Sequence, residues 1–169
     1  MTEPCTNIHA GCVRLAHAAA RFGAPEDAGV LILGESGAGK SDLMLRLIAA
    51  GAELVADDRT ELTAGHGGLF AAPPPALAGL IEVRGLGIIA LPHCVRARVA
   101  LAVDLASGDI PSRLPEPECW RPPEVLGLPE QSWPPLIRLA PFEASAQARI
   151  VAAAAAFAHG LFRHAPPPI

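Results

Sequence analysis

The string Gly34-Glu35-Ser36-Gly37-Ala38-Gly39-Lys40-Ser41 fills every required position of the G-x-x-x-x-G-K-[ST] pattern. Glycines at these places let the backbone wrap an oxyanion, with successive N–H groups aimed inward at the start of a helix. A lysine ammonium is a compact point charge that fits between phosphate oxygens, and the hydroxyl of Ser41 suits Mg²⁺. Lys40 is the only lysine in the chain, against twelve arginines. Codon bias explains the arginines but not why the one lysine falls where a phosphate loop needs it. Two further groups bear on the same chemistry. Asp57-Asp58 follow the apolar run Leu54-Val55-Ala56, and carboxylates at a strand end beside such a loop can bind Mg²⁺ or accept a proton. A polar turn is the plain alternative, since Asp-Asp is common in turns. Glu82 and Arg84 are charges in an otherwise apolar stretch, two apart, so an extended chain puts both on one face. Read alone, that pair is better explained by an ordinary ion pair on a strand surface. His9 and His17 precede the loop, and position does not choose between a phosphate contact and a surface histidine for either.

These residues need elements to carry them. Val30–Leu33 reads as a buried central strand leading into the loop at 34–39. Ser41–Ala50 reads as a helix with Leu43, Leu47 and Ile48 on one face, stopped by Gly51. Glu53–Ala56 is a second strand, close enough in sequence to place Asp57 and Asp58 in the same βαβ neighbourhood. Glu61–Thr63 and Leu69–Ala71 suit a hairpin around Gly65-His66-Gly67-Gly68. A short helix follows Pro73-Pro74-Pro75, and Gly87–Leu91, Val99–Leu105 and Leu136–Leu139 are candidate strands. Ser107–Pro135 is rich in proline and reads as a long surface connection. Ser145–His159 is a helix with Ser145 as N-cap and Gly160 as terminator. Pro166–Ile169 reads as a frayed tail. There is no internal repeat.

A length of 169 residues suits a single domain spanning 1–169, with a core over about 8–160. Hydrophobic content of 51% supports a proper core, yet no apolar run approaches the ~18 residues of a membrane span. The start lacks the basic-then-apolar pattern of a secretory signal. A net charge of −4, with no basic patch carrying aromatics, argues against nucleic acid as partner. Cys5, Cys12, Cys94 and Cys119 show no C-x-x-C spacing and read as free thiols of a cytosolic protein, making the cytoplasm the expected compartment.

Taken in order, several segments resemble the catalytic domain of HPr kinase/phosphorylase. They are Ile8-His9-Ala10, the phosphate loop, Leu54-Val55-Ala56-Asp57-Asp58-Arg59, Ala72-Pro73-Pro74, Ile81-Glu82-Val83-Arg84-Gly85-Leu86-Gly87-Ile88-Ile89 and Ser112-Arg113-Leu114. The loop is generic; the strings around Asp57-Asp58 and Glu82–Ile89 are far more specific to the family. The chain looks like a short form, without the N-terminal domain of longer members.

The resemblance implies an α/β P-loop kinase fold of the phosphoenolpyruvate-carboxykinase type, a mixed central sheet with flanking helices. It implies transfer of phosphate from ATP, or from pyrophosphate in some members, to a serine of the phosphocarrier protein HPr with Mg²⁺, and a reverse reaction with inorganic phosphate. Carried over by position, His9 matches the family's active-site histidine, with His17 as rival, and Lys40 the loop lysine. Ser41 and Glu82 match the magnesium ligands, Asp58 the base toward serine, and Arg113 a phosphate-handling arginine. Gly34, Glu35, Ser36, Gly37, Ala38 and Gly39 would line the donor's phosphates, with Asp57 and Arg84 as additional contacts. Longer members assemble as hexamers, which extends the same expectation here. The interval between His9 and Gly34 is longer than the family's, with Ala18–Asp27 as an inserted loop. Pro141-Phe142-Glu143-Ala144-Ser145-Ala146 stands where longer members carry a basic loop used in dephosphorylation, which points to weak or absent reverse activity. A nucleotide-sensing module without turnover, or a small-molecule kinase on the same scaffold, are the competing readings.

Overall fold

A computed structural model describes residues 4–105 and 112–163; the tail expected at Pro166–Ile169 and the first residues of the proline-rich connection lie outside them. Eleven strands and two α-helices make a mixed α/β fold. The strands are β1 Cys5–His9, β2 Gly11–Arg14, β3 Ala28–Leu33, β4 Glu53–Ala56, β5 Arg59–Gly65, β6 Gly68–Ala72, β7 Leu80–Val83, β8 Gly87–Ala90, β9 Ala97–Asp104, β10 Glu118–Cys119 and β11 Pro135–Arg138. The helices are α1 Lys40–Ala49 and α2 Ala146–His159.

The main sheet runs β1-β5-β6-β9-β3-β2-β4. β9 divides one of its edges between two neighbours. Its first residues pair antiparallel with β6 (Phe70↔Arg98, Ala71↔Ala97), and its last pair parallel with β11 (Leu136↔Ala102 to Arg138↔Asp104). β7 and β8 form a separate antiparallel hairpin. The expected strand before the phosphate loop is β3, central and buried between β9 and β2.

β4 does not lie beside β3, as a simple βαβ unit would have it. β2 sits between them, antiparallel to both, so β3 and β4 run parallel and present their C-terminal ends at the same side of the sheet. Neither β1 nor β2 was expected from sequence. β2 is four residues long, and β1 alternates between exposed and half-buried positions on an edge with a single neighbour, β5. The connection expected over Ser107–Pro135 holds, in its described part, a short strand, two 3-10 turns and the buried Leu126.

Alternation along the strands divides the core in two. Val30, Ile32, Val13, Leu54 and Val103 point toward Leu43, Met44 and Leu47 of α1 and Ile150, Val151 and Ala154 of α2. Both helices therefore cover one face. Leu31, Cys12, Val55, Leu62, Leu69 and Val99 fill the other, which the sheet closes by curling, with Leu126 packed beneath. Leu136–Leu139 and Gly87–Leu91 appear as β11 and β8 within a residue or two of expectation. α2 starts at Ala146 with Gly160 in the left-handed conformation at its end; Ser145 occupies the N-cap position, but its hydroxyl makes no capping bond.

α1 lies close on β2 because Gly11 has no side chain. A Cβ there would stand 2.1 Å from Met44 Sδ, and Met44 is fully buried. Gly11→Ala should lower the unfolding free energy by about 1–3 kcal/mol, the usual cost of overpacking, read as a fall in the urea midpoint at unchanged slope.

Candidate active site

The phosphate loop, the carboxylate turn and the β7–β8 hairpin converge on one cleft of about 460 Å³. Its walls include His9, Ser36, Gly37, Gly39, Lys40 and Ser41, together with Asp57, Asp58, Glu82 and Arg84. Sequence spacing thus identified most of the polar lining. Gly39, at φ 96°, is the left-handed turn that feeds the chain into α1 and frees the first amides of the helix to face the cleft.

Lys40 is buried, and its ammonium donates to the carbonyls of Gly34 (2.7 Å) and Glu35 (2.8 Å). Burial lowers its pKa from the ordinary lysine value, while the negative charges of Asp58 and Asp57 act in the opposite sense. As the sole lysine it is a clean reporter. Reductive ¹³C-methylation should give two NMR signals, from Lys40 and the α-amine. The Lys40 signal should titrate below the ordinary lysine pKa in the folded protein and return to it in urea; an unchanged midpoint on unfolding would contradict the buried placement.

The two aspartates, adjacent in sequence, diverge in role because of the backbone between them. Asp58 has φ 62°, and Arg59 N–H donates back to the Asp57 carbonyl at 2.7 Å, closing a three-residue turn. A non-glycine residue in this region is uncommon, and such conformations cluster at functional sites. The turn sends Asp57 inward. Its buried carboxylate accepts from the Ser41 hydroxyl (2.8 Å, Oδ1) and from the Glu82 amide (2.9 Å, Oδ2). Asp57 thereby ties α1, β4 and β7 together, a role that spacing alone did not reveal. Asp58 is exposed and meets His9 instead, with Nε2 and Oδ1 2.7 Å apart. His9 is positioned by the pairing of β1 with β5, in which it stands opposite Arg59, and by the buried Thr60 hydroxyl donating to Ala10 O at 2.7 Å.

The two histidines differ in place: His9 lines this cleft, whereas His17 is exposed, packs near Gly51, and lies outside it. Glu82 and Arg84 flank Val83 at the end of the hairpin, both exposed and both lining the cleft, as their spacing required. Ile81, between the sheet core and α1, anchors that hairpin. Arg113 is exposed and is not among the residues lining the cleft. Gly34, Glu35 and Ala38 form the outer curve of the loop, with two of their carbonyls committed to Lys40. Asp42, Leu45, Val83 and Phe142 complete the lining and were not anticipated as site residues.

Oxygen donors of the kind that hold magnesium meet in this cleft. Ser41 Oγ and Asp57 are already within bonding distance of each other, and the Glu82 carboxylate lies in the same cleft. These are hard oxygen donors, suited to an ion that binds through one or two carboxylates plus substrate phosphates. No dedicated cage of three or more His, Cys, Asp or Glu exists among the described residues. The set therefore fits Mg²⁺ arriving with a polyphosphate.

Residues 24–98 match the family model described as HPr Serine kinase C-terminal domain. Over part of its length the chain is similar to the HPr kinase/phosphorylases. It is 50% identical over 64 residues to the HPr kinase/phosphorylase of Clostridium tetani, a stretch covering 38% of this chain and 21% of that protein. It is 52% identical over 62 residues to that of Bordetella petrii, covering 36% of this chain and 20% of the other. The matched stretches thus span about a fifth of these HPr kinase/phosphorylases. The likeness of fold extends further. The HPr(Ser) kinase/phosphatase structure from Coxiella burnetii superposes with a TM-score of 0.66 at 27% identity, over 86% of this chain and 91% of that one. The expected mixed α/β kinase fold is therefore the one found. Among the described residues no helix is long and apolar enough to cross a membrane.

Proposed function

We propose that the chain is a serine protein kinase that moves a phosphoryl group from ATP, or from pyrophosphate, to a serine of an HPr-type phosphocarrier protein. The observation that carries this reading is the convergence of Lys40, Ser41, Asp57, Asp58, His9 and Glu82 on one cleft, from four separate segments of the chain. Phosphoryl transfer asks for alignment and charge neutralisation rather than covalent chemistry from the protein. The loop amides and Lys40 hold the donor's phosphates. Ser41, Asp57 and Glu82 would hold Mg²⁺, which would neutralise charge on the donor's phosphates when bound.

Asp58 acts as general base. One of its oxygens is engaged by His9, leaving the other free to accept the serine proton. As the serine oxygen bonds to phosphorus, the bond from phosphorus to the departing phosphate breaks, and the proton passes to Asp58. With inorganic phosphate as the attacking group, the bond from phosphorus to the serine oxygen breaks, protonated Asp58 returns its proton to that oxygen, and pyrophosphate is released. His9 is the positioning partner of that carboxylate. Arg84 lies at the cleft mouth, where an incoming phosphate or acidic side chain would meet it. Arg113 lies outside the cleft lining and carries no step in this reading.

The loop at 141–146 should weaken the reverse direction. Its one charged side chain, Glu143, is paired with Arg149 of α2 at 2.6 Å. The loop therefore offers no free cation for inorganic phosphate. Incubation of phosphoserine-HPr with millimolar phosphate should release the phosphate far more slowly than the forward reaction adds it, and robust phosphate-dependent release would overturn the expectation.

The forward test is incubation of the purified chain with Mg²⁺, each donor in turn and a candidate HPr, with intact-mass readout. A single added phosphate on HPr supports the protein-kinase reading. Transfer to a metabolite without HPr would favour a small-molecule kinase, and binding without any transfer a sensing module. Assembly into a hexamer and residence in the cytoplasm remain part of the same proposal, carried by kinship.

A further inference from the structure

One wall of the cleft has no part in the phosphoryl chemistry. Phe142 is 72% exposed yet lines the cleft, and its ring rests on the loop glycine next to Lys40. A Cβ on Gly39 would meet Phe142 Cζ at 2.8 Å and Pro141 Cβ at 3.3 Å. Isolated exposed aromatics are common and need no explanation. This one differs because both flanks are secured. The buried Pro141 offers its carbonyl to the Arg46 guanidinium, and Arg46 also pairs with Asp42 in the first turn of α1 at 3.0 Å. On the other side Glu143 is held by Arg149. The ring is thus mounted on the phosphate loop and open to the cleft. Leu45, half-buried on α1, adds a second apolar element to the same lining.

From this geometry we infer that Phe142, with Leu45, is a stacking platform for the aromatic base of a nucleoside triphosphate, and that the donor is a nucleotide rather than pyrophosphate. The inference rests on the phosphate-site reading above. With phosphates on the loop amides at the start of α1, Asp42, Leu45 and Phe142 are the remaining lining beside the loop, open to the sugar and base that a nucleotide would carry. Pyrophosphate has nothing to place there. The lining holds no side-chain amide to read a base edge, and stacking is tolerant because every base has a π-face. ATP and GTP should therefore serve almost equally.

The test is calorimetric titration of wild type, Phe142→Ala and Phe142→Trp with Mg²⁺ plus ATP, GTP or tripolyphosphate. Phe142→Ala should weaken ATP and GTP by about tenfold, the scale of lost base stacking, with tripolyphosphate affinity unchanged. Phe142→Trp should retain nucleotide affinity, and its added fluorescence should change with ATP but not with tripolyphosphate. An unchanged ratio of ATP to tripolyphosphate affinity in Phe142→Ala overturns the inference and leaves the phosphate site standing. So does a Phe142→Ala defect confined to KM for the protein substrate. If wild type binds neither ATP nor tripolyphosphate, the phosphate-site reading itself falls, and this inference with it.

Discussion

Replacing Lys40 with methionine is expected to slow phosphoryl transfer by about a thousandfold, the upper range for losing one preorganised electrostatic contact to the transition state. Methionine keeps the apolar stem and deletes the charge. The fold should survive, because the buried ammonium is not a source of charge stabilisation. Burial lowers its pKa, so between the folded and ordinary values the unfolded chain binds more protons than the folded one. In wild type the unfolding free energy should therefore rise with pH through that window. The rise should be missing in Lys40→Met, while the urea midpoint near neutral pH shifts little. Transfer rate by intact mass and urea melts at several alkaline pH values check both halves. Retained transfer would mean that Lys40 serves only to brace the loop carbonyls of Gly34 and Glu35.

The second large effect is expected at Asp58. Asp58→Asn keeps the size and tolerates the left-handed backbone at φ 62°, but cannot take the serine proton. Transfer should fall by about 10²–10⁴-fold, the range for a lost general base, with KM for the donor nearly unchanged. Asp58→Gly should be equally inactive and yet at least as stable as wild type, by up to about 1 kcal/mol, because glycine adopts that backbone without strain. A variant that gains stability as it loses activity would show that the turn is maintained for chemistry. Should Asp58→Asn raise the donor KM and leave turnover intact, Asp58 would instead be a donor-binding group.

The parts of this site that were legible in the sequence were those dictated by short-range chemistry. The glycines around Lys40, the paired aspartates after an apolar strand and the two-residue spacing of Glu82 and Arg84 each state their geometry locally. The segment Glu53–Ala56 was delimited to the residue, because Gly51 and Asp57 bracket a run with no competing pattern. What could not be read depends on contacts between distant segments. β1 is too polar and too short to announce itself; it is a strand because β5 offers an edge. That Asp57 faces inward and Asp58 outward is fixed by one backbone dihedral, which no side-chain pattern reports. Phe142 had no role of its own in the loop at 141–146, and only the packing against Gly39 reveals it as cleft lining. Arg113 was transferred from kinship, and the structure leaves it outside the cleft lining.

The interposition of β2 between β3 and β4 has a consequence for how the molecule could be divided. Every cleft-lining group from the loop to Arg84 lies within residues 24–98, the stretch that matches the family model. That stretch nevertheless omits β2, whose interposition puts β3 and β4 two inter-strand spacings of about 4.8 Å apart and so sets the distance between the strand ends that carry the loop and the carboxylates. A fragment reduced to the motifs would hold all its ligands at the wrong separation. Conversely, residues 5–14 supply both that spacer and His9, so a peptide of that segment is a natural donor strand for complementation in trans. The chain offers a split-protein switch in which a short peptide restores the spacing and brings in the histidine at once.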